Sequence, residues 1–369
     1  MTTKTAPSGP TSDSDIRDLP DVSGIVNETA RLVVEHYVFP EVADRLAALL
    51  RRRLAEGAYD LAVTSPATDP AKDLATDLAT DLATDPAKDL AKDLAKDLAK
   101  EPDKEPPAGT AAAARLARLV TADLQSLNGD PHLRLKHHVE PVPEGRGAAA
   151  LSAMRREFDA SLGGVPGIRL EAAGVAVLEL APAFFPLEWS AEPLTAALTL
   201  VSRADALILD LRGNTGGDPE TVAFVCSYLF DERTHLNSMY WRAGERLEQS
   251  WSLPYVPGAR FGGSKPLYVL TSGRTFSAGE ELTYDLQQLD RAVVVGEPTG
   301  GGAHPREGWT LHPHLEATIP VGRSVNPVSG TNWEGTGVQP DVPCPAAEAL
   351  DRATALARAA VAVPAPRTP

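Results

Sequence analysis

The sequence predicts an α/β fold with a mainly parallel sheet, preceded by a small N-terminal helical domain. Short apolar runs such as Ala206–Leu211 (ALILDL) and Pro266–Leu270 (PLYVL) read as fully buried strands. Segments of helical period lie between them, and strands alternating with crossover helices build a parallel sheet covered on both faces. These strand runs begin only after a Gly/Pro-rich stretch at 141–150, whereas the residues before it show mostly helical spacing.

Residues 1–21 are rich in Thr, Ser, Pro and Asp and read as a disordered arm. A helical domain is expected over 22–140. Ile25, Ala30, Leu32 and Val33 precede a break at Tyr37-Val38-Phe39-Pro40. Val42, Leu46, Leu49 and Leu50 then form a stripe at helical spacing, with Arg51, Arg52 and Arg53 near the end where the helix dipole favours cations. A low-complexity insert at 69–107 repeats the tetrapeptide D-L-A-[TK]. Over 69–106 it carries eleven acids and six lysines, a net of −5. A four-residue period drifts by about 40° per unit on a helix, so no single wide face persists and the insert reads as a solvated linker. Helical spacing resumes through Leu116, Leu119, Val120, Leu124 and Leu127 until Gly129-Asp130-Pro131 stops it.

The core is expected over 150–348. Its strands are Val175–Leu180, Ala206–Leu211, Pro266–Leu270 and Ala292–Val295, and its helices Ala191–Val201, Glu220–Phe230 and Ala278–Leu289. An edge hairpin is expected at 309–322, and residues 349–369 give a short helix and a Pro-rich tail. The loops after ALILDL and PLYVL then lie at strand carboxyl ends, where α/β proteins build their sites.

Composition narrows the function. The 369 residues carry a net charge of −15 and are 43% hydrophobic, enough for a sizeable core. The acidic balance argues against a nucleic-acid or anionic-membrane partner. Two cysteines, Cys226 and Cys344, exclude a disulfide scaffold and an all-cysteine zinc site. The start lacks the apolar run of a signal peptide and no stretch could span a bilayer, so a soluble, cytoplasmic protein is expected. His312-Pro313-His314 and His137-His138 lack acidic or cysteine partners at ligand spacing, so no metal and no cofactor are expected.

Four segments could carry chemistry. Leu211-Arg212-Gly213-Asn214-Thr215-Gly216-Gly217-Asp218-Pro219 links a strand to a helix, with Asp218 as N-cap and Pro219 at the first helical position. Its glycines let backbone amides approach an anion, and the lysine and hydroxyl of a phosphate loop are missing. Thr275-Phe276-Ser277-Ala278-Gly279-Glu280-Glu281 also opens a helix. Ser277 and Glu280 there make a capping box, yet a serine at that place is equally suited to be a nucleophile, with the Ala278 amide facing an oxyanion. Gly129-Asp130-Pro131-His132-Leu133 presents a histidine, the natural general base at neutral pH, and a plain surface histidine fits the segment too. Asn332-Trp333-Glu334-Gly335-Thr336-Gly337 holds an acid that could orient a histidine or simply be solvated.

Together these segments resemble the tail-specific (carboxy-terminal processing) serine peptidase family. The resemblance is nearest to its branch with interphotoreceptor retinoid-binding protein modules and the tricorn protease core. It covers about residues 23–60 and 110–345: Tyr37-Val38-Phe39-Pro40, the G-D-x-H-L element, DLRGNTGG, TFSAGEE with LDRAVVVGEPTGGGAH, and EGTGVQPDV. It implies a ClpP/crotonase-like core and serine-type peptidase (proteolytic, hydrolase) activity on peptide or protein substrates. By position, Ser277 matches the nucleophile, Ala278 and Gly216 or Gly217 the oxyanion donors, His132 the base and Glu334 the distant glutamate. Gly302 stands where processing peptidases have a lysine, so a Ser/Lys dyad is not expected, and His304 is the reserve base. No segment resembles a PDZ domain. A catalytically silent binding module for an apolar ligand or peptide is the alternative, and the oligomeric state stays open.

Overall fold

The computed structural model describes residues 21–60, 110–142 and 146–362. The expectations for the arm, for the D-L-A-[TK] insert and for the Pro-rich tail lie outside the described residues. The chain packs as two compact units, Met1–Glu144 with Glu307–Ile319, and Gly145–Arg306 with Pro320–Pro369.

In the first unit, α1 (Val22–His36) starts at Asp21, whose carboxylate accepts from the Gly24 amide at 2.9 Å. The expected break is real. Tyr37 turns to an extended conformation and Pro40 opens α2 (Pro40–Ala55), where its missing N–H costs nothing. Helix α1 packs on α2, and α2 on α3 (Ala111–Gln125). Arg53 and the Tyr59 hydroxyl both donate to Asp123, at 2.9 and 2.6 Å. A three-stranded sheet of order β1-β10-β9 completes the unit: β1 (Arg134–His137), β9 (Arg306–His312) and β10 (Leu315–Pro320). The pair β1–β10 is antiparallel, with Arg134 opposite Thr318 and His137 opposite Leu315. The hairpin expected at an edge of the core sheet therefore pairs with β1 instead. Periodicity identifies a strand without identifying its partner.

The second unit carries the α/β core. Its six-stranded sheet runs β12-β8-β7-β4-β3-β2. Strands β3 (Val175–Glu179), β4 (Ala206–Asp210), β7 (Leu267–Thr271), β8 (Val293–Gly296) and β12 (Val342–Pro343) are parallel. Only β2 (Gly167–Leu170), at one edge, is antiparallel. Both faces are covered, which is why the strands read as unbroken apolar runs. Leu207 and Leu209 cluster with Leu198, Val225, Leu282 and Leu286 of α5 (Leu187–Val201), α6 (Pro219–Cys226) and α7 (Ala278–Gln288). Ala206 and Ile208, on the opposite face, meet Ala349, Ala353 and Ala357 of α8 (Ala349–Ala362).

Two features were not anticipated. Residues Arg146–Ala160 form a helix, α4, that begins inside the Gly/Pro-rich stretch. A separate antiparallel sheet of order β11-β5-β6 joins β11 (Gly322–Val325), β5 (His235–Trp241) and β6 (Arg246–Trp251). Among the described residues, no helix is long and apolar enough to cross a membrane.

Candidate active site

The turns after β4 and β7 lie side by side at the carboxyl ends of the parallel strands. Leaving β7, the chain reaches Ser277 with φ 51° and ψ −118°, then enters α7. That combination belongs to the first central position of a type II′ turn, which glycine ordinarily fills. A serine held there stores roughly 1–3 kcal/mol of backbone strain, so its surroundings must fix it. They do so from both sides. The Phe276 amide donates to the Asn214 carbonyl at 3.1 Å, and the Ser277 amide donates to Glu280 Oε2 at 2.8 Å.

The turn after β4 brings its glycines against this serine. Gly216 has φ 112°, and a β-carbon there would lie 2.7 Å from Ser277 Cβ and 3.2 Å from its Oγ. Gly217 has φ 131°, and a β-carbon there would collide with the Phe184 carbonyl oxygen. The Phe184 amide donates to the Gly216 carbonyl at 2.7 Å, and the Asp218 amide donates to the Phe184 carbonyl at 2.8 Å. Asp218 caps α6 as expected, accepting from the Glu220 amide at 2.9 Å. Sequence left Gly216 and Gly217 equivalent as amide donors; the geometry separates them. The Gly216 amide is already given to Asn214 Oδ1 at 3.0 Å. Among the described residues, the amides of Gly217 and Ala278 have no hydrogen-bond partner, and Ala278 is the first residue of α7, where orphan N–H groups are intrinsic. Gly217→Ala is expected to cost roughly 2 kcal/mol or more, because the β-carbon meets backbone at a φ that L-residues avoid. Thermal denaturation checks it; an unchanged melting temperature contradicts the geometry.

Asn214 and Glu280 hold this arrangement, and sequence reasoning undervalued both. Asn214 is fully buried: its Nδ2 donates to the Leu180 carbonyl just past β3 at 3.1 Å, its Oδ1 accepts from the Gly216 amide and its backbone carbonyl accepts from the Phe276 amide, so one residue ties the end of β3, the glycine turn and the serine turn together. Glu280 was expected as a local cap. Its carboxylate in fact accepts four hydrogen bonds. Oε2 accepts from the Ser277 and Gly302 amides, both at 2.8 Å; Oε1 accepts from the Gly301 amide at 2.7 Å and the Thr299 hydroxyl at 2.5 Å. Burial pushes its carboxyl above the usual range, against the pull of these four donors. Gly302, at the place of the missing lysine, thus contributes its backbone to the same hub as Ser277.

The 332–338 loop packs on this turn. Trp333 Nε1 donates to the Gly302 carbonyl at 3.0 Å and the Gly335 amide to the Gly301 carbonyl at 2.9 Å. Glu334 Oε2 accepts from the Ala303 amide at 2.6 Å and lies 3.6 Å from His304 Nδ1. His304 and Glu334 are therefore brought together, both largely buried. His132 belongs to the N-terminal unit, where it is also buried. Its amide donates to Asp130 Oδ1 at 3.0 Å, and its Nδ1 is 4.0 Å from that oxygen. Asp130 accepts from the Tyr37 hydroxyl at 3.0 Å, and Tyr37 in turn accepts from Asn128 Nδ2 at 2.6 Å. The Y-V-F-P and G-D-x-H-L elements, far apart in sequence, thus meet.

Behind Ser277, α7 carries two more buried carboxyls one turn apart, Glu281 and Asp285. Asn237 Nδ2 donates to Glu281 Oε1 at 3.2 Å, and Asn326 Nδ2 to Asp285 Oδ1 at 3.3 Å. Asp285 Oδ2 is buried without a hydrogen-bond partner. Desolvation raises both carboxyls, Glu281 to about 7, and each is pushed further by a neighbouring acid. Beyond the turns, a cavity of about 510 Å³ is lined by Glu179, Asp210, Arg212, Arg274 and Glu297; Ser277 does not line it.

Residues 184–344 match the family described as Peptidase family S41, and residues 19–86 and 86–155 each match the N-terminal domain of peptidase S41 in eukaryotic IRBP. The chain belongs to peptidase family S41. Gly216, Gly217, Ser277, Ala278, His304 and Glu334 all fall in the S41 match, and His132 in the second match to the N-terminal domain. The S41 chain is 30% identical over 153 residues to carboxyl-terminal-processing peptidase 2, chloroplastic, of Arabidopsis thaliana. That alignment covers 39% of this chain and 27% of the relative, so only about a quarter of the curated relative is spanned. Among solved structures, a candidate peptidase of Parabacteroides merdae is 16% identical with a TM-score of 0.50, covering 66% of this S41 chain and 82% of that one. Mature CPAF complexed with lactacystin is 16% identical with a TM-score of 0.45, covering 53% and 54%. The likeness to the Parabacteroides merdae structure concerns the fold alone.

Proposed function

We propose that the protein is a serine-type endopeptidase that hydrolyses peptide bonds in unfolded or flexible polypeptide. The observation that carries the reading is Ser277, held at a strained strand-to-helix turn against the glycine turn, with two unpartnered amides on these turns. Ser277 is the nucleophile. A serine hydroxyl is nearly un-ionised at neutral pH, so a base must take its proton as it attacks the scissile carbonyl. The amides of Gly217 and Ala278 hold the oxyanion, a contribution of about 10²–10³ in rate per donor. His132 is assigned as base from the G-D-x-H-L element, with Glu334 as the residue that orients and stabilises the imidazolium. The 3.6 Å contact of His304 with Glu334 supports a second assignment, His304 as base.

A fluorophosphonate probe separates these readings. The wild-type protein is expected to be labelled, Ser277→Ala not at all, and His132→Ala far more slowly than wild type. Loss of labelling in His304→Ala with retention in His132→Ala transfers the base to His304. Labelling that survives Ser277→Ala, or none in the wild type together with saturable uptake of an apolar ligand or peptide, sinks the peptidase reading and leaves a binding module.

A further inference from the structure

We propose that His137, His312 and His314 form a site for a divalent transition metal of the zinc class at the end of the β1–β10 pair. In sequence the two histidine pairs are remote, and neither alone has a ligand set. The antiparallel register places His137 opposite Leu315, immediately beside His314. The His138 backbone carbonyl lies against them, 2.8 Å from His314 Nδ1.

Geometry and tautomer favour an ion here. The rings of His137 and His314 have centroids 6.3 Å apart, and those of His312 and His314 6.0 Å apart. Two imidazole nitrogens at about 2.0–2.1 Å from one zinc ion put the ring centroids about 5–6 Å apart, so the rings must close in by side-chain rotation when an ion binds. His314 Nδ1 is 2.8 Å from the His138 carbonyl, which can only accept; the proton therefore sits on Nδ1 and the Nε2 lone pair faces away. That hydrogen bond is the one by which metal-binding histidines usually fix their ring. Glu316, buried, lies 2.8 Å from His138 Nε2, so the His138 ring is engaged there and is not one of the ligands. The three histidines are half-buried, and His137 Nε2 itself is shielded from solvent. His312 Nδ1 accepts from the His314 amide at 3.2 Å, so it joins the set only by giving up that bond. His137 and His314 are the essential pair and His312 the weaker third.

Titration of the full-length protein with Co²⁺ and then Zn²⁺ tests this. One Co²⁺ per chain is expected, seen by its visible absorption and displaced by Zn²⁺. Zn²⁺ affinity measured by calorimetry should fall by about tenfold or more in His137→Ala and in His314→Ala, less in His312→Ala, and not at all in His235→Ala. If His314→Ala fails to fold, His314→Gln keeps a side-chain donor without a metal-binding nitrogen and must show the same loss. No saturable binding up to about 1 mM Zn²⁺, or wild-type affinity in a folded His137→Ala/His314→Gln double variant, overturns the proposal.

Discussion

Replacing Glu280 by alanine is expected to destabilise the core unit by roughly 3–5 kcal/mol, the range for removing one partner from a buried, charged hydrogen-bond set. Four donors lose their acceptor at once: the amides of Ser277, Gly301 and Gly302 and the Thr299 hydroxyl. All lie where water does not easily replace the carboxylate, since Glu280 is fully buried. Glu280→Gln should fall between wild type and alanine. Each carboxylate oxygen accepts from two donors, so either orientation of the amide sets an NH₂ against two of them. Chemical denaturation of the three proteins gives the order, and probe labelling of Ser277 should decline in the same order because the serine's own amide is released. An alanine variant within about 1 kcal/mol of wild type would show that the hub is not what fixes the turn.

Raising the pH from about 4.5 to 7.5 is expected to remove about 3 kcal/mol of stability through Glu281 alone. The sign follows from proton counting. In the unfolded chain this carboxyl releases its proton near 4.5, whereas in the folded protein it holds it to about 7. Between those values the native state binds more protons, so stability falls as pH rises. Asp285 is raised as well and extends the decline upward. The groups around the pair are Asp218, the N-cap of α6, Cys226 at the end of α6, Asn237 from β5 and Asn326 after β11. Among the described residues, neither carboxyl has an ion-pair partner. Asp285→Asn removes one of the two acids while keeping an oxygen for Asn326. Its melting temperature should exceed that of wild type at pH 8 and approach it at pH 5. A wild-type-minus-variant difference that is flat across this range contradicts the assignment.

The parts of the fold legible in the sequence were those whose signal is local. The buried strands β4 and β7, the turns after them, the break before Pro40 and the Asp218 cap each announce themselves within about ten residues. What could not be read is relational. Glu280 has the spacing of a cap, and three of its four donors come from residues 299–302. Asn214 is one polar residue among several in a turn, and nothing local says that it points inward. The β11-β5-β6 sheet was hidden because its buried positions include Asn237, Ser238 and Ser324, which break the apolar alternation. The sequence assigned equal weight to Gly216 and Gly217; only the hydrogen bond from Gly216 to Asn214 tells them apart.

The register of β1 with β10 bears on how the chain is made. Thr318 and Arg134, paired across that sheet, are 184 residues apart. The core sheet, by contrast, assembles β3, β4, β7 and β8 from Val175 to Gly296 in an unbroken series of neighbours. During synthesis, the N-terminal unit emerges first but cannot close its own sheet until the strands of the core have been made. Its contact order is thus set by a detour through another folding unit, and its completion is the slower step. An N-terminal fragment ending before Glu307 would present β1 with an open edge, the kind of surface on which chains aggregate.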